Sequence, residues 1–338
     1  MSIEHTDTGD IYVEPRNEVV ITVGYPGSGK GTHVKPLLAK GYQCFNRDSI
    51  GGGTNKDDSG IYREAQKAFD AGCRRFVFDN TYGTIQARSA AITFAKSVGL
   101  PIRVLWLQTT LEQAQLFASR RQVQRLGKLL RKEEYKAHSK DANMFPPGAQ
   151  YAYRKRFEPP TTVEGFTHVK PVPVAVTWGS EYTNKALILD FDGTLRETPD
   201  EKACPYPRTT AEVKVPAGRG DKLREYLDKG YRLLGASNQS GISRMPDDPK
   251  FVSEEAAKRC FAETCRQLGV DIEVLYATER GGPPQSFWRK PVTGMAVLHI
   301  ERHKLDPRQC ICVGDWTSDK SFAERAGFQF VWAHEFFA

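Results

Sequence analysis

The strongest chemical signal in the sequence is a glycine-rich segment of nine residues, 24–32, which follows an apolar run and precedes a helical pattern. In such a loop the glycines let the backbone curl, so that successive N–H groups point at phosphate oxygens, and the next helix adds the partial positive charge of its N-terminus. Lys30 would reach the β- and γ-phosphates. Gly31 occupies the position after the lysine that usually supplies the magnesium hydroxyl, and Thr32, one residue later, is the candidate for that role. The sequence therefore predicts an ATP site formed by Gly24, Gly27, Ser28, Gly29, Lys30, Gly31 and Thr32.

Two acidic residues later in the same half are candidates for handling the group that accepts the phosphate. Asp48 follows Asn46 and Arg47, and Asp79 is followed by Asn80. A carboxylate at a strand end beside a phosphate loop can take the proton from an attacking hydroxyl. Each acid alone is better explained as a turn or helix cap. Two of them, at two strand ends beside one phosphate loop, favour a role in substrate binding and catalysis.

The second half carries a different set of reactive residues, beginning with Asp190 and Asp192 after the apolar run 186–189. Asp190 can attack phosphorus to give an aspartyl-phosphate, and Asp192 can protonate the departing oxygen and then activate water. Later strand ends supply a hydrogen-bond donor for phosphate, a balancing cation and two further acids: Ser237, Lys290, Asp315 and Asp319. Alone, Lys290 could be a surface lysine and Asp319 a helix cap. Because the four elements of this set follow four successive predicted strands, we favour a shared catalytic site over separate surface or capping roles. We expect Mg²⁺ to be held by Asp190, Asp192, Asp315 and Asp319.

Apolar runs alternate with helical patterns along the whole chain, which predicts an α/β fold. Continuous rather than alternating runs indicate strands buried on both faces of parallel sheets, at 19–23, 75–78, 103–107, 186–189, 232–236 and 310–313. Helices are predicted at 61–71, 110–137, 221–229 and 253–268. Four prolines and little helical periodicity mark 158–178. We therefore expect an N-terminal extension (1–16), a P-loop domain (17–180) and a Rossmann-like phosphatase domain (181–338).

The excess positive charge lies entirely in the first half. Residues 1–182 hold 25 Lys/Arg and 18 Asp/Glu, a net +7, whereas residues 183–338 hold 23 of each. A basic face suits a polyphosphate or a nucleic-acid backbone, although a solvated helix face is the ordinary explanation for a charge run. Part of the excess is one basic cluster: Arg120, Arg121, Arg125, Lys128, Arg131, Lys132 and Lys136.

Composition places the chain among soluble globular proteins, with 39% hydrophobic and 26% charged residues. No apolar run approaches the roughly 18 residues that would cross a bilayer, and the acidic, polar residues 1–10 do not form a secretory signal. The seven cysteines are scattered without a Cys-x-x-Cys pair. We therefore expect reduced thiols, an intracellular (cytoplasmic) location and no membrane partner.

Several of these motifs together resemble one family. The run Val-Gly-Tyr-Pro-Gly-Ser-Gly-Lys, followed by Asn-Arg-Asp, Phe-Asp-Asn-Thr and Thr-Leu-Glu-Gln-Ala, resembles the kinase domain of polynucleotide kinase-phosphatases. The resemblance implies that Asp48 is the general base on a 5′-hydroxyl and that Arg47 helps to hold the acceptor. It also implies a lid arginine that clamps the ATP phosphates. Arg120 and Arg121 are the candidates, and spacing does not choose between them.

The second half resembles the haloacid dehalogenase phosphatases through Asp-Phe-Asp-Gly-Thr at 190–194. Arg-Lys-Pro-Val-Thr-Gly-Met at 289–295 resembles the 3′-phosphatase domain of the polynucleotide family. Histidinol-phosphate phosphatases share much of the pattern, but many carry a Cys-x-His zinc loop that does not occur between Asn238 and Lys290. The kinase-first order is similar to that of the bacteriophage enzymes.

The leading hypothesis is an enzyme that heals DNA or RNA ends by phosphorylating 5′-hydroxyls and removing 3′-phosphates, with a ligase as its functional partner. A second hypothesis is a metabolic fusion of a small-molecule or nucleoside kinase with a sugar-phosphate phosphatase. A third is a non-catalytic nucleic-acid-binding module, which predicts damaged active sites. Every catalytic position named above holds a competent residue, so this third hypothesis ranks last.

Overall fold

A computed structural model of the chain describes residues 3–5, 11–13, 15–47, 59–198 and 204–338. Contacts divide it into two compact units. The first comprises Met1–Ala114, Lys140–Asn143 and Ala149–Ala175, and the second comprises Gln115–Ser139, Met144–Gly148 and Val176–Ala338. Within the described ranges, no helix is long and apolar enough to cross a membrane.

The first unit is built on a parallel five-stranded sheet in the order β4-β5-β3-β6-β7. All six residues of its central strand β3 are buried, because neighbouring strands flank it and helices cover both faces. A separate antiparallel pair, β1-β2, lies near the N-terminus. The strands are β1 Ile3–His5, β2 Ile11–Val13, β3 Glu18–Val23, β4 Gln43–Phe45, β5 Arg75–Phe78, β6 Ile102–Gln108 and β7 His168–Pro173.

Helices in this part of the chain follow the strands of the first sheet, apart from the last one, which begins at Gly148 of the second unit. They are α1 Lys30–Ala39, α2 Ser59–Asp70, α3 Ile85–Ser97, α4 Leu111–Leu126 and α5 Gly148–Arg156. Helix α4 passes from the first unit into the second at residue 115. The prediction of one helix over 110–137 is wrong, because Gly127 ends α4 with φ +69° and a short 3-10 helix, Lys132–His138, follows.

The second unit has its own parallel five-stranded sheet, in the order β10-β9-β8-β11-β12. The strands are β8 Ala186–Leu189, β9 Arg232–Asn238, β10 Glu273–Ala277, β11 Ile311–Gly314 and β12 Gln329–Trp332. The helices are α6 Arg219–Asp228, α7 Glu254–Leu268, α8 Gly294–His303, α9 Thr317–Ala326 and α10 Ala333–Phe336. Strand β8 is wholly buried at the centre, which places the residue after it at the middle of the sheet's carboxyl edge.

The α/β class and the six predicted strands are confirmed, with ends that shift by one or two residues. The sequence reading missed four strands of the two large sheets: β4, β7, β10 and β12, which are the sheet edges. Their residues are partly exposed, so they lack the continuous apolar run of a central strand. Strand β7 also contains Pro171 and Pro173, which an edge strand tolerates because one side of its ladder needs no partner.

Candidate active sites

The glycine-rich loop connects β3 to α1 in the first unit and has the backbone of a phosphate cradle. Gly27 and Gly29 adopt φ of +82° and +86°, a region that favours glycine. At Gly24 a Cβ atom would lie 2.8 Å from Ser28 Oγ, so the close approach of the two residues requires glycine there. Helix α1 begins at Lys30, so its N-terminus faces the loop, where unsatisfied N–H groups favour an anion.

Lys30 lies over the loop and donates hydrogen bonds from Nζ to Gly24 O (3.2 Å) and Tyr25 O (2.9 Å). Thr32 is exposed in the first turn of α1. Two contacts brace the loop: Thr109 Oγ1 donates to Ser28 O (3.3 Å) and Gln150 Nε2 to Pro26 O (2.9 Å). The lysine amine is thus held over the loop. The phosphate oxygens of a bound triphosphate could replace the two carbonyl oxygens as its hydrogen-bond acceptors.

Asp79 and Asn80 follow β5 at the carboxyl edge of the sheet, beside the loop. Asp79 Oδ1 accepts from Thr22 Oγ1 at 2.8 Å, and its backbone N–H donates to Phe45 O at 3.1 Å. Asn80 Nδ2 donates to Tyr82 OH at 3.3 Å. The chain after β4 therefore leaves the sheet next to Asp79. Arg47 is exposed two residues beyond β4, and Asp48 lies outside the described residues.

The two candidate lid arginines belong to the second unit. Arg120 is engaged there: Nε lies 2.7 Å from Glu301 Oε1, one terminal nitrogen donates to Thr177 O, and the guanidinium stacks 4.2 Å from the Trp178 ring centroid. Arg131, from the same basic cluster, stacks on Trp288 in the same way. The guanidinium groups of these two residues pack against aromatic rings and so do not contribute to an exposed basic surface. Four other members of the cluster are exposed: Arg125, Lys128, Lys132 and Lys136.

In the second unit, three of the predicted groups meet at the carboxyl edge of the sheet. Asp190 follows β8, Asp319 lies in the first turn of α9, and Lys290 precedes α8. Lys290 Nζ lies 2.6 Å from Asp190 Oδ1 and 2.7 Å from Asp319 Oδ1, and it also donates to Ala236 O at 2.6 Å. All three side chains are buried. The structure therefore brings the predicted nucleophile and the predicted balancing cation into direct contact.

Asp192 and Ser237 are joined by residues that the sequence reading did not single out. Asp192 Oδ1 accepts from Arg196 Nε (2.8 Å), and Oδ2 accepts from Gln239 Nε2 (2.6 Å). The same Gln239 nitrogen lies 2.9 Å from Ser237 Oγ. Arg196 is itself buried and bonded to Thr264. Arg196 lies four residues after Asp192, and Gln239 lies two residues after Ser237. These spacings were the only sequence signal for the two residues, and neither spacing by itself identifies a motif.

Asp315 follows β11 and approaches the loop after Asp192 very closely. A Cβ atom on Gly193 would lie 2.1 Å from Asp315 Oδ2, and Gly193 has φ +80°, so only glycine fits there. Thr194 Oγ1 lies 3.5 Å from Asp315 Oδ1. The glycine of the Asp-Phe-Asp-Gly-Thr motif thus lets the loop turn directly over this carboxylate.

Carboxylate oxygens of Asp190, Asp315 and Asp319 lie within 4.8 Å of one another. Burial and the adjacent acids raise the pKa of Asp190, although Lys290 opposes this, and burial with Asp319 raises the pKa of Asp315 to about 6. Burial alone would lower the pKa of Lys290, but Asp190 and Asp319 raise it on balance, so the amine stays protonated. The Lys290 ammonium can balance the charge of only one of the three carboxylates, so the cluster favours a further cation. Oxygen ligands of this kind suit Mg²⁺, so the residues fit the predicted ion; the carboxylate of Asp192 lies outside this group of three.

The fold and the two sites define an α/β protein with a P-loop domain, which implies nucleotide binding, followed by a phosphatase-type domain. Residues 185–337 match the family described as polynucleotide kinase 3 phosphatase, and residues 19–139 match the AAA domain family. The segment that matches the polynucleotide kinase 3 phosphatase family thus follows the segment that matches the AAA domain family.

Three similar proteins illustrate the range of relatives. A Schizosaccharomyces pombe bifunctional polynucleotide phosphatase/kinase is 32% identical over 46% of this chain and 33% of its own length. The D-glycero-beta-D-manno-heptose-1,7-bisphosphate 7-phosphatase of Haemophilus influenzae is 33% identical over 40% of this chain and 73% of its own. A HAD-like phosphatase structure from Mesorhizobium loti is 28% identical, with a TM-score of 0.37, over 43% of this chain and 70% of that one. The chain thus spans only a third of the yeast protein.

Proposed function

We propose that this protein heals nucleic-acid ends, transferring the γ-phosphate of ATP to 5′-hydroxyls and removing 3′-phosphates. The observation that carries the proposal is the match of residues 185–337 to the polynucleotide kinase 3 phosphatase family behind a P-loop domain. The net +7 charge of residues 1–182 supports a polyanionic substrate. The products, a 5′-phosphate and a 3′-hydroxyl, are the ends that a ligase joins, so a nucleic-acid ligase is the functional partner.

In the kinase half, the glycine-rich loop would bind the ATP phosphates through backbone N–H groups, and Lys30 would neutralise the transferred phosphate. Asp48 would take the proton from the 5′-hydroxyl. Arg47 and the residues that follow β5, Asp79 and Asn80, would position the acceptor. Thr32 would ligate Mg²⁺, which supplies charge neutralisation between the phosphates. Arg120 and Arg121 both remain candidates for the lid role.

In the phosphatase half, an Asp190 oxygen would attack phosphorus, and the bond from phosphorus to the 3′-oxygen would break. Asp192 would give its proton to that oxygen and then take one from the water that hydrolyses the aspartyl-phosphate. Ser237 would donate to a phosphate oxygen, and Lys290 would balance the charge on Asp190. Asp190, Asp315 and Asp319 would hold Mg²⁺, which lets the anionic groups approach.

Gln239 is a positioning residue in this scheme, since it bonds both Asp192 and Ser237. We expect Gln239→Leu, which keeps the side-chain volume, to lower kcat for 3′-phosphate removal roughly 10–100-fold, as loss of supporting hydrogen bonds does elsewhere. Gln267→Leu on the exposed side of α7 is the matched control and should retain activity. Steady-state kinetics with a thermal melt of each variant checks this; a kcat within twofold of wild type would show that Asp192 needs no such support.

A second candidate function is a metabolic fusion in which the phosphatase acts on a sugar phosphate. The 33% identity to the Haemophilus heptose bisphosphate phosphatase favours it, because the alignment covers 73% of that enzyme. The two candidates differ in substrate charge. A polynucleotide engages several phosphates at once, whereas a sugar phosphate engages one or two.

Salt dependence separates the two candidates. We expect kcat/KM for a 3′-phosphorylated oligonucleotide to exceed that for a 3′-mononucleotide or a heptose bisphosphate, and to fall more steeply with rising salt because more counterions are released. Steady-state rates in a KCl series, with Mg²⁺ fixed, measure this. Equal salt slopes with a preference for the sugar bisphosphate would overturn the polynucleotide assignment and favour the fusion.

A further inference from the structure

The second unit contains another cluster of metal-ligating side chains, formed by Glu273, His299 and His303. One ligand atom from each residue lies within 4.8 Å of the others. His299 and His303 are four residues apart on α8, a spacing that puts both imidazoles on one helix face, and Glu273 is the first residue of β10. Two imidazoles on a helix and a carboxylate from another element are a donor set that binds divalent transition metals.

His299 has the protonation pattern of a metal ligand. Its side chain is fully buried, and Nε2 lies 2.9 Å from Gly235 O on β9. A carbonyl oxygen can only accept, so Nε2 carries the ring proton and Nδ1 has a lone pair. Among the described residues Nδ1 has no hydrogen-bond partner. Metal-bound histidines commonly hold their other ring nitrogen by donating to a backbone carbonyl, as His299 does.

The other two side chains supply charge and access. His303 Nε2 lies 2.8 Å from Glu273 Oε2, and Arg302 donates to Glu273 Oε1 at 3.1 Å. Glu273 is about two-fifths exposed and His303 less than one-fifth, so an ion can enter from solvent between them. The half-exposed carboxylate and the mostly buried imidazole already face each other, and an ion would replace this contact with two ligand bonds.

We propose that Glu273, His299 and His303 form a binding site for a divalent transition metal of the Zn²⁺ class, with solvent as the fourth ligand. Imidazole nitrogens favour Zn²⁺ over Mg²⁺, which prefers oxygen ligands, so this site differs in chemistry from the Asp190 cluster. It also differs in position. Glu273 begins β10 and His303 ends α8, whereas Ser237 lies near the carboxyl end of the parallel strand β9 and Lys290 precedes α8.

The site has a structural consequence for the proposed active site. Helix α8 begins four residues after Lys290, and His299 anchors the middle of that helix to β9. An ion shared by α8 and β10 would join the helix to the edge strand of the sheet. Bound metal stabilises the folded chain because the unfolded chain does not hold its three ligands together.

Zinc binding by the full-length protein tests the proposal, with millimolar Mg²⁺ present to occupy the carboxylate cluster. We expect wild type to retain one Zn²⁺ per chain after desalting, to melt at a higher temperature with Zn²⁺ than without, and to give the visible absorption of four-coordinate Co²⁺ when cobalt replaces zinc. Glu273→Gln and His303→Ala should each weaken Zn²⁺ affinity roughly tenfold or more. The exposed His334→Ala is the matched control and should match wild type.

Two variants keep the test decisive if one of them folds poorly, and circular dichroism identifies such a variant. Loss of the retained Zn²⁺, of the zinc-dependent melting shift and of the cobalt spectrum in either folded variant supports the site. The proposal is overturned if wild type retains no Zn²⁺ in the presence of Mg²⁺. It is also overturned if retention and spectrum are unchanged in both Glu273→Gln and His303→Ala, because the ion is then bound elsewhere.

Discussion

Asp190→Asn should lower kcat for 3′-phosphate removal by roughly 10³-fold or more, as loss of a catalytic nucleophile does in other enzymes. Asparagine keeps the size of the side chain, but its amide cannot form an acyl phosphate. Asp190 contacts Lys290 at 2.6 Å, so the substitution also leaves that buried amine with Asp319 as its remaining carboxylate neighbour. Release of inorganic phosphate from a 3′-phosphorylated oligonucleotide, followed over time, measures the effect.

The matched control is Asp221→Asn, which changes an exposed aspartate of the same unit. It should retain wild-type phosphatase activity. The kinase activity of Asp190→Asn should also be retained, since the first unit has its own sheet and core. Phosphate release by Asp190→Asn at a tenth of the wild-type rate or more would mean that another group is the nucleophile.

Lys30→Met has the second-largest expected effect, a loss of roughly 10²–10³-fold in kcat for 5′-phosphorylation, the scale seen when one charge-stabilising donor is removed. Methionine preserves the apolar stem while removing the amine that lies over the loop carbonyls. Transfer of labelled phosphate from ATP to a 5′-hydroxyl oligonucleotide measures the loss. The variant's phosphatase activity should remain at the wild-type level.

Lys35→Met, an exposed residue of the same helix, is the control for loss of a positive charge near the loop. It should leave transfer within about twofold of wild type, because the charge of an exposed lysine is screened by solvent and salt. If Lys30→Met and Lys35→Met transferred phosphate from ATP to the 5′-hydroxyl at the same rate, the glycine-rich loop would not be the site of phosphoryl transfer.

The parts of the fold that could be predicted are those in which local sequence and burial agree. Strands β3 and β8 are covered on both faces, so their apolar runs are continuous and their ends are clear. Edge strands such as β7 and β10 consist largely of exposed and half-buried positions, so they lack the continuous apolar run that identifies a central strand. The end of α4 at Gly127 was also missed, because a glycine within a helical pattern does not by itself show that the residue adopts a left-handed conformation.

For the candidate sites, sequence identified the residues whose chemistry requires a fixed spacing within a motif, such as Asp190 with Asp192. It missed Arg196 and Gln239, which bond the two oxygens of Asp192, because any polar side chain of suitable length can position a carboxylate. Packing also separated members of one basic cluster. Arg120 lies against Trp178, a contact across 58 residues that no local pattern encodes.

The most direct test of the central claim uses one oligonucleotide that carries both a 5′-hydroxyl and a 3′-phosphate, together with ATP, Mg²⁺ and a ligase that requires a 5′-phosphate and a 3′-hydroxyl. Circularisation needs both reactions. We expect wild type to give circular product, Lys30→Met or Asp190→Asn alone to give none, and a mixture of the two variants to restore it. If wild type gives no circle but still hydrolyses ATP and releases phosphate from sugar phosphates, the claim that this protein heals nucleic-acid ends is contradicted.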